Sequence, residues 1–244
     1  MSFFTRETQS SDFISASYSA GLRSHFMSVY NYMSSALAVT GLISYMASKS
    51  TTLMQLLFSN PVLMLIFALA PIGLVFYMSS KMQSMTLSGL SACLMIYAGL
   101  LGISIAPIFL IYTGVSIAKT FFISASVFGL TSLYGYTTKK DLTSVGSFAI
   151  MGVIGILIAS IVNIFLKSSG LDFFISIIGV ILFTVLAAWD TQKIKDIYLS
   201  APNNMRNSEM MSKLAVMSAL SLYMDFLNIF LFLLRFFGER RGND

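Results

Sequence analysis

Two aspartates stand inside apolar sequence: Asp190 in LAAWDTQKIKDIY and Asp225 in LSLYMDFLNIFLFLLRFF. An ionisable group within a membrane span is costly and is a functional candidate by default. Two acids at short range cannot both ionise cheaply, so a shared proton is the expected compromise. The same oxygens suit a hard cation such as calcium, held transiently. On a helical wheel Asp225 shares a face of roughly 100° with Ser218, Ser221, Asn228 and Arg235. The serines and Asn228 are expected to make interhelical hydrogen bonds, which such residues do routinely in membranes. Asp190 closes an apolar run. Ile194 and Ile197 or Tyr198 continue at helical spacing, which predicts that the helix carries on and leaves Asp190 a turn or more inside. Ser176, Gly179, Phe183, Ala187 and Asp190 share one side, mostly small or polar and suited to close packing. A third charge, Lys119, interrupts YTGVSIAKTFFISASVF near the middle of its run. A structural role is expected for it, pairing with an acid or reaching for an interface. His25, at the start of the first apolar segment, is expected at the interface.

These charges are legible because there are so few. The 244 residues are 56% hydrophobic and 10% charged, with a mean hydropathy of +0.81. Soluble domains run at about 45–50% apolar and about 25% charged. A disordered chain, a disulfide-stapled secreted domain and an ordinary cytosolic enzyme are excluded. No charge interrupts the 31 residues between Lys49 and Lys81, the 37 between Lys81 and Lys119, or the 25 between Asp141 and Lys167. One bilayer span needs about 20 apolar residues, so a multi-pass membrane protein is implied. The net charge of +5 is then an orientation signal and not a nucleic-acid footprint. A single cysteine, Cys93, excludes an intramolecular disulfide and reads as a small buried thiol. The 16 Met are scattered and outline no metal path.

Seven apolar segments succeed one another: about Phe26–Ala47, Pro61–Ser79, Met85–Ile105, Phe109–Tyr134, Thr143–Leu166, Leu171 to at least Trp189, and Ala215–Phe237. They are too long and unbroken for barrel strands. The fold expected is an all-α membrane bundle of seven transmembrane helices. Residues 1–25 form a polar cytoplasmic tail, 26–238 the transmembrane domain and 239–244 a short tail. The longest linker expected is Lys195–Lys213. With the N-terminus in the cytoplasm, nine Lys and Arg fall inside (Arg6, Arg23, Lys81, Lys139, Lys140, Lys193, Lys195, Arg206 and Lys213). Lys49 and Lys167 fall outside. Arg235, Arg240 and Arg241 oppose that bias if the seventh segment crosses. At about 20 residues it is long enough, and crossing is preferred to re-entry.

Several stretches carry a family resemblance. They are GLRSHFMSVYNYM and TGLISYMA within 21–47, SIAPIFLIYTGVSIAKTFFISASVFGLTSLYGYTTKKDL at 104–142, WDTQKIKDIY at 189–198 and ALSLYMDFLNIFLFLLRFFG at 219–238. The last two contain Asp-x-x-x-Ile-Lys and then Leu-Tyr-x-Asp-Phe-x-Asn. The chain resembles the Bax inhibitor-1, or transmembrane Bax inhibitor motif, family, and most of all its bacterial branch. The resemblance implies a seven-helix bundle with the last helix central. It also implies a pH-sensitive calcium leak in which a di-aspartyl pair is proton sensor and gate, with no cofactor and with calcium as permeant ion. The matching positions are Asp190 and Asp225, with Arg235 at a basic position near the end of the last helix. The chain departs from the family at the end of the second segment. There FYMSSKM offers Ser79, Ser80 and Lys81 where relatives can carry an Arg that pairs with the acids. The second segment also lacks a carboxylate to latch onto Arg235. Lys119 stands where related chains are often neutral or acidic, and it would oppose cation passage.

The expected function is thus a proton-gated cation leak in a bacterial inner membrane, with the bilayer, calcium and protons as partners and no nucleic acid. Protein partners are not specified by the sequence. One alternative is a regulatory interaction protein whose acids serve only assembly. Another is an intramembrane aspartyl protease, where one acid activates water and the other protonates the leaving group. Such enzymes carry Gly-x-Gly-Asp at the second acid. Here it is Leu-Tyr-Met-Asp, and no Pro-Ala-Leu motif comes after it.

Overall fold

Polar residues punctuate the apolar chain into helices. Ser50, Asn60, Thr86, Thr113, Ser168 and Ser208 each accept a hydrogen bond from a backbone N–H of the helix they precede. Such caps contribute about 0.5–2 kcal/mol apiece. At the other end of one helix, Lys167 adopts the left-handed conformation (φ 50°) and its N–H bonds to the Asn163 carbonyl, which stops the helix.

The computed structural model describes residues 2–206 and 208–242, without the side chains of 2–18, 58, 61, 64 and 68. Arg6, Glu7 and Asp12 of the expected polar tail therefore lie outside the described side chains. The elements are α1 (Ser2–Lys49), α2 (Thr51–Ser59), α3 (Pro61–Lys81), α4 (Leu87–Ile105), α5 (Ile108–Ile111), α6 (Gly114–Thr137), α7 (Thr143–Leu166), α8 (Ser169–Ser200), α9 (Asn203–Arg206) and α10 (Glu209–Phe237). Among the described residues the sole β feature is an isolated antiparallel bridge, Tyr112–Arg240.

The fold is all-helical, and five segments are long and apolar enough to cross a membrane: Leu87–Ile111, Gly114–Thr137, Thr143–Leu166, Ser169–Ser200 and Glu209–Phe237. α3 adds the apolar stretch Leu65–Lys81. In α1, residues 26–47 are diluted by Ser28, Asn31, Ser34, Ser35, Thr40 and Ser44. α7 turns most of its surface outward, with Phe148, Ile154, Ile158 and Phe165 more than half exposed. An apolar exposed helix is what lipid-facing packing requires. α10 is the opposite. Two thirds of its apolar window (67%) is buried, and it packs against α1, α4, α6 and α8.

Three expected boundaries change. The fourth segment is not one run from Phe109. α5 ends at Ile111, Tyr112 is extended, and Thr113 caps a new helix at Gly114. The linker expected at Lys195–Lys213 shrinks to 201–208 around the short α9, because buried Ile194 and Tyr198 keep α8 helical to Ser200. α1 runs unbroken through residue 25, so no backbone break separates the tail from the first apolar segment.

The C-terminal residues are tied down. Thr113 N–H donates to the Glu239 carbonyl (3.1 Å) and Arg241 N–H to that of Ile111 (2.8 Å). Glu239 N–H donates to Ser116 Oγ (3.0 Å). Cys93 is half-buried and packs against the main core.

Candidate functional site

Small residues bring α8 close to its neighbours. A Cβ at Gly179 would sit 2.6 Å from the Phe232 ring on α10, and one at Gly135 on α6 would sit 2.1 Å from the Ala188 carbonyl oxygen. Phe183 stacks on Phe232 at 5.9 Å. The α8 face read from Ser176 to Asp190 therefore does pack tightly, and it does so against α10.

Asp190 and Asp225 fall at this interface. Asp225 is 4% exposed, and its Oδ2 is buried with no hydrogen-bond partner. Asp190 is mostly buried, with its side chain 14% exposed, and Lys193 Nζ on the next turn of α8 lies 3.3 Å from its Oδ1. The Lys193 ammonium also sits 4.4 Å from the centroid of the Trp189 ring. Asp225 is within electrostatic reach of both Asp190 and Lys193. Among the described residues no hydrogen bond joins the two carboxylates. The chemistry on offer is a buried, under-satisfied carboxylate beside an ion-paired one, an arrangement that accepts a proton or a cation.

The remaining candidates lie elsewhere. Arg235 is exposed and pairs with Asp172 at the start of α8, Nη1 to Oδ1 3.1 Å. Ten residues of helix, about 15 Å, separate it from Asp225. Asn228 donates from Nδ2 to the Met224 carbonyl of its own helix (2.8 Å), and Ser221 is half-buried in the same helix, α10. Lys81 is exposed at the end of α3. Lys119 is corrected: it is the sixth residue of α6, not near its middle, and it is exposed on the outer surface. α6 begins at Gly114 and not near Phe109, which shifts Lys119 toward the helix end. His25 is 6% exposed and stacks on Tyr198 at 5.4 Å.

Several contributors escaped the sequence reading. Tyr30 on α1 hydrogen-bonds Ser132 on α6, which pairs with Thr191 on α8 at 2.9 Å. A hydroxyl chain thus crosses three helices to the residue beside Asp190. Tyr223, fully buried two residues before Asp225, shares a hydroxyl–hydroxyl hydrogen bond with Thr40 of α1 (2.7 Å). In the Asp-x-x-x-Ile-Lys stretch, Gln192 accepts from Leu142 N–H and donates to the Lys140 carbonyl, both at 2.8 Å. Lys195 donates to the carbonyls of Tyr136 (2.9 Å) and Thr138 (3.2 Å), closing the end of α6. No pattern marks these, because their partners are distant in sequence.

An all-helical chain with several bilayer-length apolar helices and a carboxylate pair between two of them is an integral membrane protein. A family model described as Inhibitor of apoptosis-promoting Bax1 matches residues 22–242. The chain belongs to this Bax inhibitor-1 family. A protein of Rickettsia prowazekii (strain Madrid E) is 47% identical over 92% of this chain and 93% of its own length. Inner membrane protein YbhL of Escherichia coli (strain K12) is 40% identical over 91% and 94%. A Borreliella burgdorferi protein is 40% identical over 88% and 91%.

Proposed function

We propose that this protein is a proton-gated cation leak, with calcium the favoured ion, and that Asp190 and Asp225 form its sensor and gate. The observation that carries this reading is the buried Asp225 carboxylate, with Oδ2 unpartnered, beside the Asp190–Lys193 ion pair. An intramembrane charge of this kind is expensive, and transport is its usual use. With both acids ionised the pair holds Lys193, or a calcium ion in transit. A proton shared between them weakens that hold and frees α8 to move against α10. Lys193 supplies the basic partner that relatives can draw from the second helix. Arg235 then acts at the far end of the same two helices, through Asp172, and Ser221 and Asn228 support the packing of α10. Lys81 and Lys119 lie at the surface and serve topology.

In this reading seven helices cross, α10 being the central one, and the chain is not an enzyme. It sits in a bacterial inner membrane, the location that the name of the E. coli relative gives for that protein. The excess of Lys and Arg that falls on one side, nine against two in the loops, supports an N-terminus in the cytoplasm.

Purified protein in calcium-dye-loaded liposomes tests it. Calcium entry should depend on pH in the wild type and lose that dependence in Asp190→Asn and Asp225→Asn. Equal flux in all three proteins at every pH would sink the mechanism and favour a protein whose acids serve assembly alone.

A further inference from the structure

α1 and α6 both pack on α10, but they do not pack closely on each other. Side chains bridge the seam between them. The Phe26 and Tyr136 rings meet edge to face at 4.9 Å, and Tyr30 hydrogen-bonds Ser132. Beside these bridges lies a recess of about 690 Å³, walled by Phe26, Met27, Phe128, Gly129 and Leu133 among others, with Arg23 at one end. A second recess of about 360 Å³ lies farther along the same two helices. Leu37, Gly41 and Ile117 line it, with Phe226 and Phe230 of α10. Ser44, also on its wall, is 21 residues beyond Arg23, about 32 Å of helix. The seam is thus open over about the thickness of a hydrocarbon core, about 30 Å.

The surface of the larger recess suits hydrocarbon. Phe26 and Phe128 are buried, and Phe128 rests edge-on against Phe226 of α10 at 5.7 Å. The wall hydroxyls are already engaged, Tyr30 with Ser132 and Ser132 with Thr191. Met27 and Leu133 on its walls are exposed. Water would find few partners here. An apolar hollow left unfilled forfeits dispersion contacts along its walls, and the apolar material at hand in a bilayer is the acyl chain.

Arg23 sets the polar end of the occupant. It is the one charged residue among those described on the wall. It is exposed, and no salt bridge among the described residues engages it. A guanidinium matches the oxygens of a phosphate in a bidentate contact. Basic residues between membrane helices hold lipid headgroups in this way.

We propose that the α1–α6 seam is a phospholipid site, in which one acyl chain fills the larger recess and the phosphate rests on Arg23. The site needs α1 and α6 side by side in the bilayer. It depends neither on ion leakage nor on the carboxylate pair.

Native mass spectrometry of the full-length protein in detergent, titrated with phosphatidylethanolamine or with diacylglycerol of the same chains, tests it. The wild type should retain one phosphatidylethanolamine per chain and bind diacylglycerol at least tenfold more weakly. Gly129→Leu places a side chain in the recess, where a Cβ meets nothing within 4 Å, and should cut retention at least tenfold. Gly155→Leu fills an equally open position on the exposed side of α7 and should retain lipid as the wild type does. Arg23→Gln alters an exposed side chain and should lower phosphatidylethanolamine binding to the diacylglycerol level, which keeps the test decisive if Gly129→Leu misfolds. Equal retention in the wild type, Gly129→Leu and Gly155→Leu would overturn the proposal. So would unchanged retention in Arg23→Gln, or diacylglycerol binding as tight as that of phosphatidylethanolamine.

Discussion

Asp225 and Asp190 differ in one respect that decides what each does: Asp190 has Lys193 within 3.3 Å, and Asp225 has no ion-pair partner at salt-bridge distance among the described residues. A lone ionised carboxylate in a low-dielectric interior is far more costly than a paired one. Lys193 is thus the natural lock of the proposed gate. Its side chain is 49% exposed, so the pair contributes only about 0.2–1 kcal/mol. Lys193→Met should raise calcium flux at neutral pH by up to about fivefold, in keeping with that energy. Dye-loaded liposomes measure it, and flux at or below the wild-type level would remove Lys193 from the lock. The two aspartates were legible in the sequence because charge is so scarce that an acid within an apolar run stands out. Lys193 was not singled out, since a lysine near the end of an apolar run reads as an interfacial charge. Lys119 misled for the reverse reason. Its position within an apolar run was clear, but the start of its helix depended on a cap at Thr113 that the run did not reveal.

Helix contacts rest on a few glycines whose neighbours leave no room. In α6, a Cβ at Gly135 would come within 2.1 Å of the Ala188 carbonyl oxygen, whereas one at Gly129 would meet nothing within 4 Å. Gly135→Ala must push α6 from α8, at a cost of about 1–3 kcal/mol. Gly129→Ala should instead gain about 0.5–1 kcal/mol from helix propensity. Unfolding of the two variants in mixed micelles should therefore move in opposite directions, and equal shifts would refute the close α6–α8 approach. The next connection offers a pH test. Asp141 Oδ1 accepts from Thr143 N–H at 2.8 Å. Hydrogen bonds from the Thr143 hydroxyl and then its N–H hold this carboxyl below the usual range. A depressed folded value stabilises the fold above the unfolded value, and that contribution disappears as pH falls through the folded one. Asp141→Ala should therefore lower Tm at pH 7, and the gap should close progressively below about pH 4. A gap that is constant with pH would mean that the carboxyl does not cap α7. The long helices themselves were readable from apolar runs. Their ends were less so, because α8 outlasts its apolar stretch by keeping Ile194 and Tyr198 buried.

At the scale of the whole molecule, α10 decides the topology. The positive-inside tendency alone would keep Arg235, Arg240 and Arg241 on the cytoplasmic side, which requires a seventh segment that turns back. α10 is instead one uninterrupted helix of 29 residues, about 44 Å long, more than a hydrocarbon core of about 30 Å. Nothing within it reverses direction: it has no proline, and its cap at Gly238 comes directly after Phe237. The arginines at its end also have local reasons to stay where they are. Arg235 pairs with Asp172, and the backbone of Arg241 bonds to Ile111. Charge bias therefore yields to helix length and to these contacts, and the two ends of α10 are expected on opposite sides. Lys140→Cys and Arg241→Cys, each in a Cys93→Ser background, report this directly. Arg241→Cys should react with an impermeant maleimide on intact spheroplasts, and Lys140→Cys only after permeabilisation. Labelling of both positions under the same condition would mean that α10 does not cross, and it would place the α8–α10 carboxylate pair outside any transmembrane path.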